Sequence, residues 1–223
     1  MSDTFKLIET MRCDGGIEHL ARHMHRLSRS AEYFGIRLDS AAIQLLVSEK
    51  CASIPPDSTP RRVRLVLGAD GCAEMTVKPL APPVPAPRWV SISESVIDES
   101  DIFRRHKTTR RELYDVEYEE ALSNGLFEVV YMNRSGRLAE GSRTNVFVER
   151  RGEWLTPPVE DGALPGILLS VVLETNEMAH EDHVTTTTLL AADRVLVCNA
   201  VIGLVEVQLT DSTTGHTGDA LYG

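Results

Sequence analysis

Five of the eleven prolines fall in one short run, Pro79-Leu80-Ala81-Pro82-Pro83-Val84-Pro85-Ala86-Pro87. Proline fixes φ, donates no backbone hydrogen bond and pushes the residue before it out of helical space. No helix or central strand can cross such a segment, so it is extended and semi-rigid. It divides the 223 residues into a smaller part, 1–86, and a larger part, 87–223. Together they are long enough to bury real cores. The expectation is two lobes with a seam at the prolines.

Before the seam, Phe5 to Met11 reads as a strand closed by Asp14-Gly15-Gly16. Leu20, Met24, Leu27, Ala31 and Phe34 recur every three or four residues, an amphipathic helix stopped by Gly35. A second helix over Ser40 to Ala52 ends at Pro55-Pro56. Arg61 to Leu67 alternates basic and apolar residues and turns through Gly68-Ala69-Asp70-Gly71 into Cys72 to Val77, a hairpin with one wet face. After the seam, Trp89 to Val96 reads as strand, and a helix runs from about Thr108 to Asn124. Phe127 to Asn133 and Arg137 to Phe147, joined by Ser135-Gly136, suggest consecutive antiparallel strands. Trp154 to Pro158 is short and extended. Pro165 opens a helix over Ile167 to Met178. Arg194 to Cys198 and the run to Leu209 are strands, and the polar tail from about Asp211 is expected to fray. The class is α+β.

A net charge of −10 argues against a nucleic-acid or acidic-membrane surface. No apolar run approaches the roughly 20 residues that span a bilayer. Met1 to Thr4 lacks the basic start of a signal peptide, so the cytoplasm is the expected location. Cys13, Cys51, Cys72 and Cys198 have no C-x-x-C spacing and read as reduced core thiols. His19 and His23 lie one helical turn apart, with His25 and Glu18 nearby, which is the start of a metal site or interaction module. It lacks convergent third and fourth ligands. Against the acidic background, Arg104-Arg105-His106-Lys107-Thr108-Thr109-Arg110-Arg111 concentrates positive charge where an anion can bind.

Downstream of Lys107 comes Leu138-Ala139-Glu140-Gly141-Ser142-Arg143-Thr144-Asn145-Val146-Phe147, a glutamate in a small-residue turn leading into an apolar strand. With Leu7-Ile8-Glu9-Thr10-Met11-Arg12, Tyr114-Asp115, and Thr156-Pro157-Pro158 through Leu164-Pro165-Gly166, these segments resemble the class IV (fold-type IV) pyridoxal-phosphate enzymes. That family includes branched-chain and D-amino-acid transaminases and 4-amino-4-deoxychorismate lyase. The resemblance runs from about Leu7 to Val207. It implies a small α+β N-terminal domain and a larger C-terminal domain with a mostly antiparallel pseudo-barrel and flanking helices. It also implies a homodimer in which the partner subunit helps to close the site.

The resemblance implies pyridoxal 5'-phosphate as cofactor, with Lys107 carrying it as a Schiff base and Glu140 facing the pyridine nitrogen. Arg26 would pair with the phosphate, as an arginine fork suits that anion. The amides of Ile167 and Leu168 at a helix start, and those of the Asn199-Ala200-Val201 turn, would complete the cradle. Partial burial and the neighbours Arg105, Arg110 and Arg111 are expected to lower the proton affinity of Lys107. Leu168 and Leu169 depart from the pattern, standing where transaminases carry threonine and then arginine. Ile202 stands where related sequences often put an arginine before glycine.

Glu9-Thr10-Met11-Arg12 and the Lys107 block look most like the aminodeoxychorismate lyase branch. That resemblance implies release of pyruvate from 4-amino-4-deoxychorismate to leave 4-aminobenzoate, a step of folate synthesis. Lys107 would move the proton, Thr10 would assist, and Arg12, Arg105 and Arg110 are candidates for the carboxylates of a small anionic amine. Two alternatives use the same residues. One is a transaminase for a branched-chain or D-amino acid; the other is a relative that binds the cofactor without turnover.

Overall fold

The computed structural model describes residues 5–55 and 59–210. Met1 to Thr4, Pro56 of the expected helix stop and the tail from Asp211 lie outside the described residues. The N-terminal part runs β1 (Leu7–Cys13), α1 (Leu20–Tyr33), α2 (Ser40–Ala52), β2 (Arg61–Leu67) and β3 (Ala73–Pro79). The strands form one antiparallel sheet in the order β1-β2-β3. Gly35 takes a left-handed φ of 65° that ends α1, and Asp39 caps α2 by accepting from the Ala42 amide at 2.9 Å. Alternate residues of β1 and β2 (Leu7, Met11, Val63, Leu65, Leu67) pack on Leu27, Ala31, Ile43 and Val47 of the helices. The opposite face of the sheet carries Thr10 against Arg64 and Arg12 against Arg62.

The chain then passes through the prolines to β4 (Trp89–Ile92), α3 (Glu112–Ser123), β5 (Glu128–Met132), β6 (Leu138–Gly141), β7 (Asn145–Arg150), β8 (Glu153–Thr156), α4 (Ile167–Thr175), β9 (Ala179–Glu181), α5 (Thr186–Leu190), β10 (Arg194–Asn199) and β11 (Gly203–Leu209). The eight strands form one sheet in the order β6-β5-β4-β11-β10-β7-β8-β9. Four pairings are antiparallel and three parallel, and the sheet curls until Gly141 of β6 donates to Thr144 beside β7 at 2.8 Å.

Several local expectations change. The run Arg137 to Phe147 breaks at residues 142–144, because the buried Glu128 carboxylate gathers Ser142 Oγ, the Arg143 amide (3.1 Å) and Thr144 Oγ1 (3.0 Å). Only a turn can aim three successive residues at one carboxylate. Beyond it β7 pairs with β10 and β8 rather than with β6. The helix expected from Thr108 starts at Glu112, since residues 107–109 are extended and bonded to β1, with Ile8 N to Lys107 O and Thr109 N to Lys6 O both at 2.9 Å. β4 stops at Ile92 and α4 at Thr175. β9 and α5 had no strong sequence period; α5 starts where Thr185 caps the Thr188 amide. Among the cysteines, Cys13 and Cys198 are buried and Cys51 partly so, but Cys72 is exposed where β3 leaves its turn. Among the described residues no helix is long and apolar enough to cross a membrane.

Candidate active site

A short ladder holds residues 107–109, the segment before α3, along β1 at the edge of the small sheet. Leu7 stands opposite Thr108, and both are buried toward α1. Strand alternation therefore turns Lys107 to the other face, the one shared by Ile8, Thr10 and Arg64. His106 anchors the segment from behind, its Nδ1 2.9 Å from Ser30 Oγ and its ring against Tyr33 and Phe34. Burial pushes the Lys107 ammonium down to about 7, with Arg26 and Arg111 adding to the effect and Glu9 and Glu140 opposing it. An amine in this position is substantially neutral near pH 7, as a nucleophile or base must be.

Behind β1 lies a buried charge cluster. Glu9, 1 % exposed, takes Arg26 Nε at 2.8 Å and Arg26 Nη2 at 2.6 Å on its two oxygens, with His23 Nδ1 at 2.6 Å. Desolvation alone would raise the Glu9 carboxyl, but Arg26 and then His23 outweigh it and hold it at about 2. Arg26 Nη1 reaches across to the Pro165 carbonyl at 3.0 Å, bringing the guanidinium to the start of α4. Among the described residues no side chain caps that helix start. A Cβ on its N-cap, Gly166, would collide with Asn145, whose amide fixes the loop by donating to Leu164 O at 2.8 Å.

Glu140 sits on β6, 6 % exposed. Oε1 accepts from Tyr114 Oη and Oε2 from the Leu164 amide, each at 2.9 Å. Burial raises the Glu140 carboxyl, with the Leu164 amide, Tyr114, Arg104 and Lys107 acting in the opposite direction.

The remaining expected residues are dispersed. Arg12 pairs with Asp14 at 3.1 Å, half in solvent. Arg105 is exposed, and so is Arg110, which lies over the Phe103 ring at 4.5 Å. Of the arginines expected to depress Lys107, Arg111 does so, and Arg26 does so unexpectedly. Asn199 acts as a turn residue: its Oδ1 takes the Val201 and Ile202 amides at 2.8 and 3.0 Å, so those amides are engaged, and its Nδ2 donates to Arg143 O. Ala200 follows it in the same turn. Ile167 and Leu168 open α4, while Leu169 is buried among Phe147, Leu196 and Cys198, which explains an apolar residue there. His23 is committed to Glu9, whereas His25 is exposed on the far side of the helix.

Sequence reasoning missed Arg64. It is half-buried, and burial followed by Arg111, Arg62 and Arg143 lowers its proton affinity, with Asp115 the opposing charge. Asp115 is already paired to Arg111 at 2.8 Å and lies 3.8 Å from Arg143. The face that Lys107 looks onto therefore carries a surplus of guanidinium.

A buried amine of lowered proton affinity, a buried carboxylate and an arginine at an uncapped helix start, held between a small three-stranded sheet and a curled eight-stranded one, define a fold-type IV aminotransferase-like enzyme. The chain belongs to the class IV amino-transferase family, whose model it matches over residues 6–209. A Schizosaccharomyces pombe protein named "Putative aminodeoxychorismate lyase" is 27% identical over 184 residues, 79% of this chain and 76% of that protein. The crystal structure of a "Putative amino-acid aminotransferase" from Mesorhizobium loti superposes with a TM-score of 0.84 at 31% identity, covering 92% of this chain and all of that one. The "Putative 4-amino-4-deoxychorismate lyase" of Legionella pneumophila has a TM-score of 0.79 at 21% identity, covering 93% and 83% of the two chains, a likeness of fold.

Proposed function

We propose that the chain is a pyridoxal-phosphate lyase that releases pyruvate from 4-amino-4-deoxychorismate and leaves 4-aminobenzoate, in folate synthesis. Enzymes of this family use pyridoxal 5'-phosphate, and the residues here fit it. Lys107 offers a poised amine, Glu140 a buried carboxylate, and Arg26 with the Ile167 and Leu168 amides a phosphate cradle at the start of α4, where Gly166 lets Asn145 pack close. When bound, the cofactor supplies a sink for electrons released at the amine-bearing carbon. Lys107, its proton affinity lowered by burial, would take the proton from that carbon. Glu140 would hold the pyridine nitrogen and Arg26 the phosphate, while Glu9 fixes the guanidinium. Thr10, opposite Arg64 on the Lys107 face, would pass a proton to the departing oxygen.

The observation that carries this reading is the guanidinium surplus around Arg64 on the same face. A substrate with two carboxylates needs such a surface, and Arg64 and Arg111 fit that role better than Arg12, which shares the face but is turned to Asp14, or the exposed Arg105 and Arg110. The name of the fission-yeast relative supports the same reaction. The Mesorhizobium structure's name favours a second reading, amino-group transfer. One assay separates them: purified protein with aminodeoxychorismate and no keto acid yields pyruvate if it is the lyase. Failure to do so, with transfer from D-alanine or leucine to 2-oxoglutarate, establishes the transaminase. We further propose a homodimer whose partner helps to close the cleft; an active monomer in sedimentation at assay concentration would refute it.

A further inference from the structure

We propose that Tyr114 is a positioning residue that holds Glu140 as an oriented anion through its hydroxyl and ties it, by way of Arg104, to the segment bearing Lys107. This rests on the reading of Glu140 as the carboxylate that meets the cofactor's ring nitrogen. A carboxylate has about four lone-pair sites on its two oxygens. Tyr114 and the Leu164 amide each fill one, on different oxygens, so the group is fixed from both sides with acceptor capacity left for an incoming N–H. The phenol keeps its proton and is the donor in this contact, because burial and the adjoining Glu140 raise it far above its ordinary range.

The tyrosine is itself clamped. Arg104 Cζ lies 4.6 Å from the centre of its ring and Arg111 Cζ 6.0 Å, while Tyr131 packs on it at 4.5 Å. Both arginines flank Lys107 in the chain. Arg104 Nε is buried without a hydrogen-bond partner among the described residues, so this guanidinium acts on the ring and on Glu140 by its field rather than by a direct bond. The charged and titratable groups acting on Glu140 are thus Tyr114 on α3, and Arg104 and Lys107 on the segment before it, beside the Leu164 amide. Removing the hydroxyl leaves burial, which favours the neutral acid, less opposed. A neutral Glu140 would no longer stabilise a protonated ring nitrogen.

The test is Tyr114→Phe in the full-length protein, with the Glu140 side-chain carbon followed by NMR in glutamate-labelled protein and assigned by its loss in Glu140→Gln. The titration is recorded with the cofactor stripped and again after reloading, alongside the pH dependence of the visible absorption. Hydrogen bonds to a charged group are strong enough that the Glu140 midpoint should rise by about one to two pH units. 3-Fluorotyrosine at position 114, a stronger donor of the same shape, should move it down, and Arg104→Met should move it up. Tyr131→Phe, which removes a hydroxyl that does not touch Glu140, should leave it in place. In turnover, kcat should fall with KM retained. A merely structural tyrosine would give an unmoved Glu140 titration in Tyr114→Phe and no response to fluorination, and either result overturns the proposal. A titration that moves while the bound cofactor's spectrum does not would instead remove the Glu140 reading on which it rests.

Discussion

Glu9→Gln tests the charge logic behind the site most directly. Glu9 is almost completely buried, and its carboxyl is held at about 2 against an ordinary 4.5. That difference corresponds to roughly 3 kcal/mol of stability, in line with breaking a buried ion pair from one side. The sign follows from the direction. The native state binds this proton less readily than the unfolded chain, so stability is fully present above about pH 4.5 and is lost as pH falls toward about 2. Glutamine cannot reproduce the interaction, since it presents one oxygen and one amide NH₂ to a guanidinium that meets two oxygens at 2.8 and 2.6 Å. Urea unfolding monitored by circular dichroism should therefore place the variant about 3 kcal/mol below the parent at neutral pH. The gap should narrow progressively in acid. A gap that stayed constant from neutral to about pH 3 would show that Glu9 is not the linked group. The variant should also bind pyridoxal phosphate more weakly, because Arg26 loses the partner that aims it.

Further outcomes can be checked separately. Acylation of Lys107 in cofactor-free protein should titrate with a midpoint near 7, and borohydride should fix the cofactor to the peptide containing Lys107. Glu140→Gln should keep the bound cofactor and its colour but lose most turnover; near-normal rates would return Glu140 to a structural role. Gly166→Ala should cost about 1–3 kcal/mol in stability, because its methyl meets the Asn145 side chain that fixes the loop before α4; unchanged urea unfolding would show that this packing is not tight. Thr10→Val should cut pyruvate release by about 10²–10⁴-fold with the visible spectrum intact.

What was legible in the sequence was local. α1 and α2 follow from spacing and capping, and the short motifs singled out Lys107, Glu140 and Arg26, whose charges act on one another in the fold. What was hidden depended on partners distant in the chain. β7 joins β10 across residues that no hairpin signal connects, and Arg64 matters only because Arg111 and Arg143 approach it from the other part of the chain. Glu9 and His23 were nonetheless discoverable. Glu9 falls in the same alternation as Leu7 and Met11, and His23 one turn before Leu27, so both polar groups sit on core-facing stripes. A buried charge in that position requires a partner, and each supplies the other's.

The departures at Leu168 and Leu169 acquire a physical meaning from this arrangement. Leu169 is 3 % exposed in the apolar cluster behind α4, so an arginine there would bury an unpaired charge. The cation that serves the α4 start comes instead from α1, through Arg26, and is preset by Glu9. On the proposed reading, phosphate binding would therefore depend on how β1 and α1 sit against the start of α4, and on the Lys107–β1 ladder beside them. Disrupting that ladder should loosen the cofactor before it unfolds either core. Thr109→Pro, which removes the Thr109 amide that donates to Lys6 O at 2.9 Å, should raise the dissociation constant for pyridoxal phosphate while most far-ultraviolet ellipticity is retained. Simultaneous loss of cofactor and of secondary structure would show that the two parts have no independent stability.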